Sequence, residues 1–239
     1  MSVPYFFIED ISPSVRDIEL DEDASRHIIQ VLRMKEGENV RLTDGKGNNA
    51  LASLISAHKK HAIVAVKSIE TISQLSPQLC IAISLVKNAS RFEWFLEKAT
   101  ELGAAAIIPM ICERTERQKF RYDRMSGICR SAMLQSMQSW LPVLHEPVSF
   151  GDVVSNAKQR QKMIAHCVKE AKVEFSSLYN PSLDSHIILI GPEGDFTDAE
   201  IARAREYNFI PVSLGSTRLR TETAGIFAAA WAHGAREED

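Results

Sequence analysis

The sequence predicts an α/β protein in two parts: a small β-barrel over residues 1–72 and a larger domain built on a mainly parallel sheet over residues 73–239. Three observations predict it. Short runs of alternating apolar residues, separated by turn signals, fill the first part. Residues 79–86 open the second part as a continuous apolar strand, the form expected where both faces of a sheet are covered, and a helical pattern and another strand at 104–110 follow. Near the carboxyl end two apolar strands, 186–190 and 209–214, each run into a glycine-containing loop and then a helix.

In the first part, Tyr5-Phe6-Phe7-Ile8 reads as a strand, and Asp23 is placed to cap a short helix over residues 24–32. Strands follow at 39–43, 50–56 and 62–69, with a strong turn signal at Asp44-Gly45-Lys46-Gly47-Asn48. His27 reads as a helix residue hydrogen-bonding inside the barrel. The polar, turn-rich stretch 71–78 is the expected boundary.

In the second part, Phe92, Phe95, Leu96, Ala99 and Leu102 repeat at helical spacing up to a stop at Gly103, so residues 79–110 form a strand-helix-strand unit. A helix is expected over 122–138, another over 150–158, and a strand over 163–166; residues 170–184 read as a variable linker. Lys98 and Glu101 read as a solvated ion pair one helical turn apart.

The last stretch is the most informative. Gly191 and Gly194 allow a tight loop at the carboxyl end of its strand, where open α/β sheets bind ligands. Thr197-Asp198-Ala199-Glu200 then matches a capping box, so a helix begins at Asp198 and runs to about Asn208. Gly215 breaks the next strand, residues 216–223 read as a second polar loop, and an alanine-rich helix spans 224–232.

With 45% hydrophobic and 25% charged residues in a chain of 239, the composition is that of a soluble globular protein. No apolar run approaches a membrane span, and acidic Glu9 and Asp10 lie where a signal peptide carries none, so the expectation is a cytoplasmic protein with no membrane partner. Cys80, Cys112, Cys129 and Cys167 form no C-x-x-C pair, which suggests neither a metal site nor a disulfide framework. A net charge of -3 argues against a uniformly basic nucleic-acid surface, but Arg114, Arg117, Lys119, Arg121, Arg124 and Arg130 gather in one stretch. That stretch reads either as a basic face or as an ordinary solvated surface.

Gly191-Pro192-Glu193-Gly194, followed by Leu214-Gly215 and Leu219-Arg220-Thr221-Glu222-Thr223-Ala224, resembles the cofactor-binding end of the RsmE family. Its members are SPOUT-superfamily methyltransferases that modify N3 of a uridine in 16S rRNA. Arg26-His27 and Val31-Leu32-Arg33 are similar to that family's amino-terminal PUA-like RNA-binding domain, and Gln135-Ser136 matches a glutamine-serine pair. The chain departs from the pattern twice. The arginine that usually follows the glutamine-serine pair is missing, and Asp195 stands where a second glycine is usual.

The resemblance implies S-adenosylmethionine as cofactor, a deep trefoil knot, a homodimer, and 16S rRNA of the small ribosomal subunit as partner. It implies a cofactor site from Leu189, Ile190, Gly191, Pro192, Glu193, Gly194, Leu214, Gly215, Leu219, Arg220, Thr221, Thr223 and Ala224. Arg220 is then the catalytic cation, with Glu193 or Glu222 orienting it or relaying a proton. A structural ion pair between Arg220 and Glu222 is the competing expectation. RNA contacts are expected from Arg26, Arg33, Lys35, Lys87, Arg91, Arg114, Arg117 and Gln135. The alternatives are a SPOUT enzyme acting on another RNA position, such as a tRNA ribose 2′-hydroxyl, and a non-enzymatic RNA-binding assembly factor. A nucleotide-dependent oxidoreductase is disfavoured because no G-x-G-x-x-G follows a strand.

Overall fold

A computed structural model describes residues 3–12, 14–116 and 119–236. The chain forms two compact units, one comprising residues up to Gln74 together with Met133–Leu141, the other Leu75–Ala132 and Pro142 onward.

The first unit is a five-stranded sheet in the order β1-β3-β4-β5-β2. Its strands are β1 (Tyr5–Phe7), β2 (Asp17–Glu19), β3 (Asn39–Thr43), β4 (Asn48–Ser56) and β5 (Ile63–Thr71). Alternation along β3 and β4 buries Val40, Leu42, Ala50, Ala52 and Leu54 with Phe6, Leu20, Ile28 and Val64 in one core. The short helix α1 (Glu22–Arg26) is capped by Asp21, whose side chain accepts from the Ala24 N–H, and not by Asp23 as the sequence suggested. A wider π-helical turn, His27–Val31, continues it. His27 is exposed, its ring edge-on to Phe6, and its side chain makes no hydrogen bond among the described residues; the buried polar residue of α1 is Ser25, which donates to Leu20 O and accepts from Ala62 N. Residues 133–141 close the unit: Asn49 donates to Ser139 Oγ at 2.7 Å and Trp140 Nε1 donates to Ile72 O at 2.9 Å.

The second unit is built on an eight-stranded sheet in which every pairing is parallel. In chain order it holds β6 (Gln78–Ser84), α2 (Ala89–Glu101), β7 (Ala106–Ile111), α3 (Tyr122–Gln135), β8 (Val143–Leu144), β9 (Val148–Ser149), α4 (Phe150–Asn156), β10 (Gln161–Ala165), β11 (Val173–Glu174), α5 (Phe175–Leu178), β12 (Ser185–Ile190), α6 (Asp198–Glu206), β13 (Ile210–Ser213) and α7 (Thr221–Gly234). The strand path is β11-β13-β10-β12-β6-β7-β8, with β9 also paired to β7. Burial on both faces explains the unbroken apolar runs: Leu79 to Ser84 and His186 to Ile190 are all buried. One face carries α4 and α6 through Phe150, Val153, Val154, Ile201 and Ala204, with Phe196 of the loop before α6. Against the other lie α2 and α7. The Lys98–Glu101 pair forms at 2.9 Å, and burial pushes the Cys80 thiol up to about 12.

Two stretches differ from the sequence reading. Residues 170–184 are not simply a linker: β11 adds an edge strand beside β13, and α5 buries Phe175 while Tyr179 packs on it. The last helix begins at Thr221, not Ala224, so Thr221, Glu222 and Thr223 form its first turn and not the end of a loop.

Candidate cofactor site

β13, β10 and β12 are neighbours in the sheet, and their carboxyl ends open on a single cavity of about 650 Å³. Loops after each strand, the first turn of α7 and Arg91 of α2 line it. Of the residues expected to bind cofactor, Ile190, Gly191, Pro192, Glu193, Leu214, Gly215, Leu219, Arg220, Thr221 and Ala224 lie on its wall. Leu189, Gly194 and Thr223 do not: Leu189 is fully buried in the sheet core, Gly194 is exposed beside the Arg114 side chain, and Thr223 is half-buried in α7.

Local chemistry fixes these loops. At Gly191 a Cβ would come within 3.1 Å of the Phe196 ring, so any larger residue would have to push that ring back by a few tenths of an ångström for the turn to close over it. Gly215 takes φ 118, open to glycine and little else. The capping box forms as expected, with Thr197 N donating to Glu200 Oε2 at 2.9 Å, and Glu200 Oε1 also accepts from Glu113 N at 2.9 Å. Arg114 Nη1 donates to Gly194 O at 2.8 Å and Phe196 O at 3.3 Å. That guanidinium, expected to meet RNA, braces the loop after β12. Thr221 Oγ1 donates to Gly191 O at 2.9 Å and so ties α7 to the same loop.

Arg91, expected among the RNA contacts, lines the cavity and lies 3.7 Å from Glu222 Oε1. Glu222 is only 5% exposed and pairs there, not with Arg220. The exposed Arg220 guanidinium makes no hydrogen bond or ion pair among the described residues. Glu193 Oε1 accepts from Lys87 N at 3.0 Å, while Lys87 Nζ is 2.9 Å from Glu116. Arg26, Arg33, Lys35 and Gln135 are exposed residues of the first unit, and none lines the cavity; Arg26 pairs with Glu22 at 2.8 Å. Arg117 lies outside the described residues.

The third wall was missed by the sequence reading. Ala165, His166, Cys167 and Lys172 contribute it, with Asp195, Ser216, Thr217 and Arg218 adding to the other two. The available signal was that the strand read at 163–166 also ends at a carboxyl edge. Lys172 Nζ donates to His166 O at 2.6 Å, and Cys167 N donates to Asp195 Oδ2 at 2.8 Å. The His166 ring is wholly buried; its Nε2 lies 3.0 Å from Glu170 Oε1, yet the two are not aligned, and neither ring nitrogen is hydrogen-bonded. Burial holds its pKa below the ordinary histidine value, with Lys172 acting in the same sense.

The comparisons with known proteins give the class, an RNA methyltransferase. Residues 73–233 match the RNA methyltransferase domain family, and residues 20–67 match the RNA methyltransferase PUA domain. Ribosomal RNA small subunit methyltransferase E of Synechocystis is 34% identical over 217 residues, 87% of this chain and 70% of the relative. The Bacillus subtilis protein of the same name is 30% identical over 215 residues, 84% of each chain. Among solved structures, a probable rRNA-methyltransferase from Porphyromonas gingivalis superposes with a TM-score of 0.90 at 34% identity over 98% of both chains. A ribosomal RNA small subunit methyltransferase E from Neisseria gonorrhoeae bound to S-adenosyl methionine superposes with a TM-score of 0.85 at 28% identity over 96% of both. The chain belongs to the ribosomal RNA small subunit methyltransferase E family.

Proposed function

We propose that this protein methylates N3 of a specific uridine in the 16S rRNA of the small ribosomal subunit, with S-adenosylmethionine as donor. The observation that carries the reading is the cavity shared by three adjacent strand ends, in a fold that superposes on a relative bound to that cofactor. The residues fit such a ligand. A volume of about 650 Å³ is in the range of small-molecule sites, and the wall combines backbone groups around Gly191 and Gly215 with the Arg220 guanidinium, unpartnered among the described residues, and three carboxylates, Glu193, Asp195 and Glu222.

When bound, the cofactor supplies an electrophilic methyl group, so the chain's tasks are alignment and exclusion of water. Backbone amides and carbonyls near Gly191, Leu214, Gly215 and Leu219 read the adenine edge. The harder task is the nucleophile. Uridine N3 must lose a proton whose pKa is about two units above neutral, a cost of ~3 kcal/mol. Arg220, with no counter-charge of its own, is assigned the positive field that lowers this cost as charge builds on the base. Glu193 or Glu222 takes the proton. Because N3 lies on the pairing edge, the target base is unpaired or flipped out of its stack.

The first unit, with Arg26, Arg33, Lys35 and Gln135, together with Lys87 and Arg117, holds the surrounding rRNA. Arg91 and Arg114 serve the cavity first. The trefoil knot, a homodimer and a cytoplasmic location belong to the same proposal; the exposed rings of Phe227 and Trp231, 6.5 Å apart on α7, offer an apolar face for a second copy. Mass mapping of rRNA from cells lacking the gene tests the reading. One N3-methyluridine of 16S rRNA disappears and returns with the wild-type gene; an unchanged small-subunit RNA refutes the target.

A further inference from the structure

The loop after β12 ends in a residue whose backbone and side chain are both constrained. Asp195 sits at φ 64, in the left-handed region where aspartate and asparagine are enriched among residues that carry a side chain. Its carboxylate is held from two directions: Cys167 N donates to Oδ2 at 2.8 Å and Phe196 N to Oδ1 at 2.9 Å. The residue is half-buried and lines the cavity. Among the described residues no lysine or arginine pairs with it.

Each oxygen of this carboxylate accepts one amide and keeps further acceptor capacity. A fixed acceptor pair without a counter-cation, set in a cavity wall, suits a ligand that brings its own donors. Vicinal hydroxyls supply two neutral donors side by side, which is how acidic side chains elsewhere hold a nucleoside's ribose. The first turn of α7 also borders the cavity, and a helix amino terminus favours a ligand's carboxylate. The ionic end of an adenosyl amino acid is therefore drawn toward α7, and its neutral ribose is left to the wall formed by Asp195 and Cys167.

We propose that Asp195 binds the ribose hydroxyls of the adenosyl cofactor, an inference that rests on the cofactor reading above. Asp195 is then a second anchor besides the backbone groups of the glycine loops, and one that discriminates ribose from deoxyribose.

Calorimetric titration of the full chain with S-adenosylhomocysteine and its 2′-deoxy and 3′-deoxy forms tests this. Wild-type protein is expected to prefer the ribose ligand over at least one deoxy form by about tenfold, as a hydrogen bond to a charged acceptor confers. In Asp195→Asn and Asp195→Gly, both of which tolerate the positive φ, that preference falls to about twofold or less, while affinity for the same deoxy ligand changes little. A variant that weakens ribose and deoxyribose ligands equally overturns the inference, since a purely structural clip between the loops has that effect. So does a loss seen with S-adenosylhomocysteine but absent with 5′-methylthioadenosine, which lacks the ammonium group. Wild-type protein that binds none of the adenosyl ligands removes the cofactor reading itself, whereas binding without any hydroxyl preference removes only the role of Asp195.

Discussion

Replacing Gly225 by alanine asks whether the packing of α7 holds the cavity together. Gly225 is buried in the middle of that helix, and a Cβ there would lie 2.5 Å from Phe95 Cε2 and 2.9 Å from both Phe95 Cδ2 and Ile83 Cδ1. Ordinary contact begins at 3.4 Å, so the neighbours must yield by close to an ångström. They have little room, because Phe95 and Ile83 are each 0% exposed. Overpacking of this kind costs about 1–3 kcal/mol. Alanine in place of a mid-helix glycine returns about 0.5–1 kcal/mol, leaving a net loss of roughly 0.5–2 kcal/mol. At about 2–4 °C per kcal/mol for a domain of this size, the melting temperature falls by roughly 1–8 °C. Cofactor affinity falls with it, since the first turn of α7 carries Thr221, Glu222 and Ala224. Urea denaturation and calorimetric titration read the two effects, and Phe95→Leu in the Gly225→Ala background restores part of the loss because the two sites touch. A Gly225→Ala protein as stable as wild type refutes the claim that the α2–α7 contact is close-packed.

Other consequences follow from single contacts. Thr221→Val removes the donor to Gly191 O and leaves a buried carbonyl unpaired, so it destabilises by about 1–3 kcal/mol and weakens cofactor binding, whereas Thr221→Ser retains both; equal behaviour of the two in calorimetry contradicts the bond's role. Arg220→Ala is expected to lower single-turnover methylation about 100-fold at saturating cofactor while leaving cofactor affinity within a few-fold, and Arg220→Lys keeps part of the rate; a loss of affinity with normal single-turnover methylation takes Arg220 out of the chemistry. Burial holds the pKa values of His166 and His186 below the ordinary histidine value. Their folded pKa lies below the unfolded one, so their contribution is complete above about pH 6.5 and is lost as pH falls through that value toward the folded pKa. Urea midpoints measured between pH 7.5 and 5 therefore decline on acidification, and Gln in place of both histidines flattens the decline.

Much of the fold was legible because local chemistry and tertiary structure agree. The capping box at Thr197 and Glu200, the helical spacing of Phe92 to Ala99 and the apolar strands from Leu79 and His186 each appear where the sequence puts them. Where local signals competed, the reading slipped. Asp21 and Asp23 are both able to cap, and only backbone geometry selects Asp21. Thr221 and Thr223 are weak helix formers beside a polar loop, and their helical state comes from packing of α7 on the sheet and from the bond to Gly191.

The candidate site was legible in two of its three walls, since only those two carry glycine turns between an apolar strand and a helix. The third rests on a short strand followed by the mixed residues 166–172, and nothing local in that stretch distinguishes a cavity wall from a connection. Arg114 and Arg91 show the same limit for charge. A cation cluster reads as a nucleic-acid face, but the partners that engage these two, Gly194 O and Glu222, lie 80 or more residues away in the sequence. In the sequence Asp195 stands out only as a missing glycine; its value as a tethered carboxylate depends on Cys167, 28 residues earlier.

The most direct measurement is a titration of S-adenosylmethionine into isotope-labelled protein, followed at the backbone amides of Cys167, Gly191 and Gly215. If one cavity holds the methyl donor, all three shift together along one binding curve. Shifts confined to a single loop, or appearing only outside the three strand ends, contradict the shared cavity.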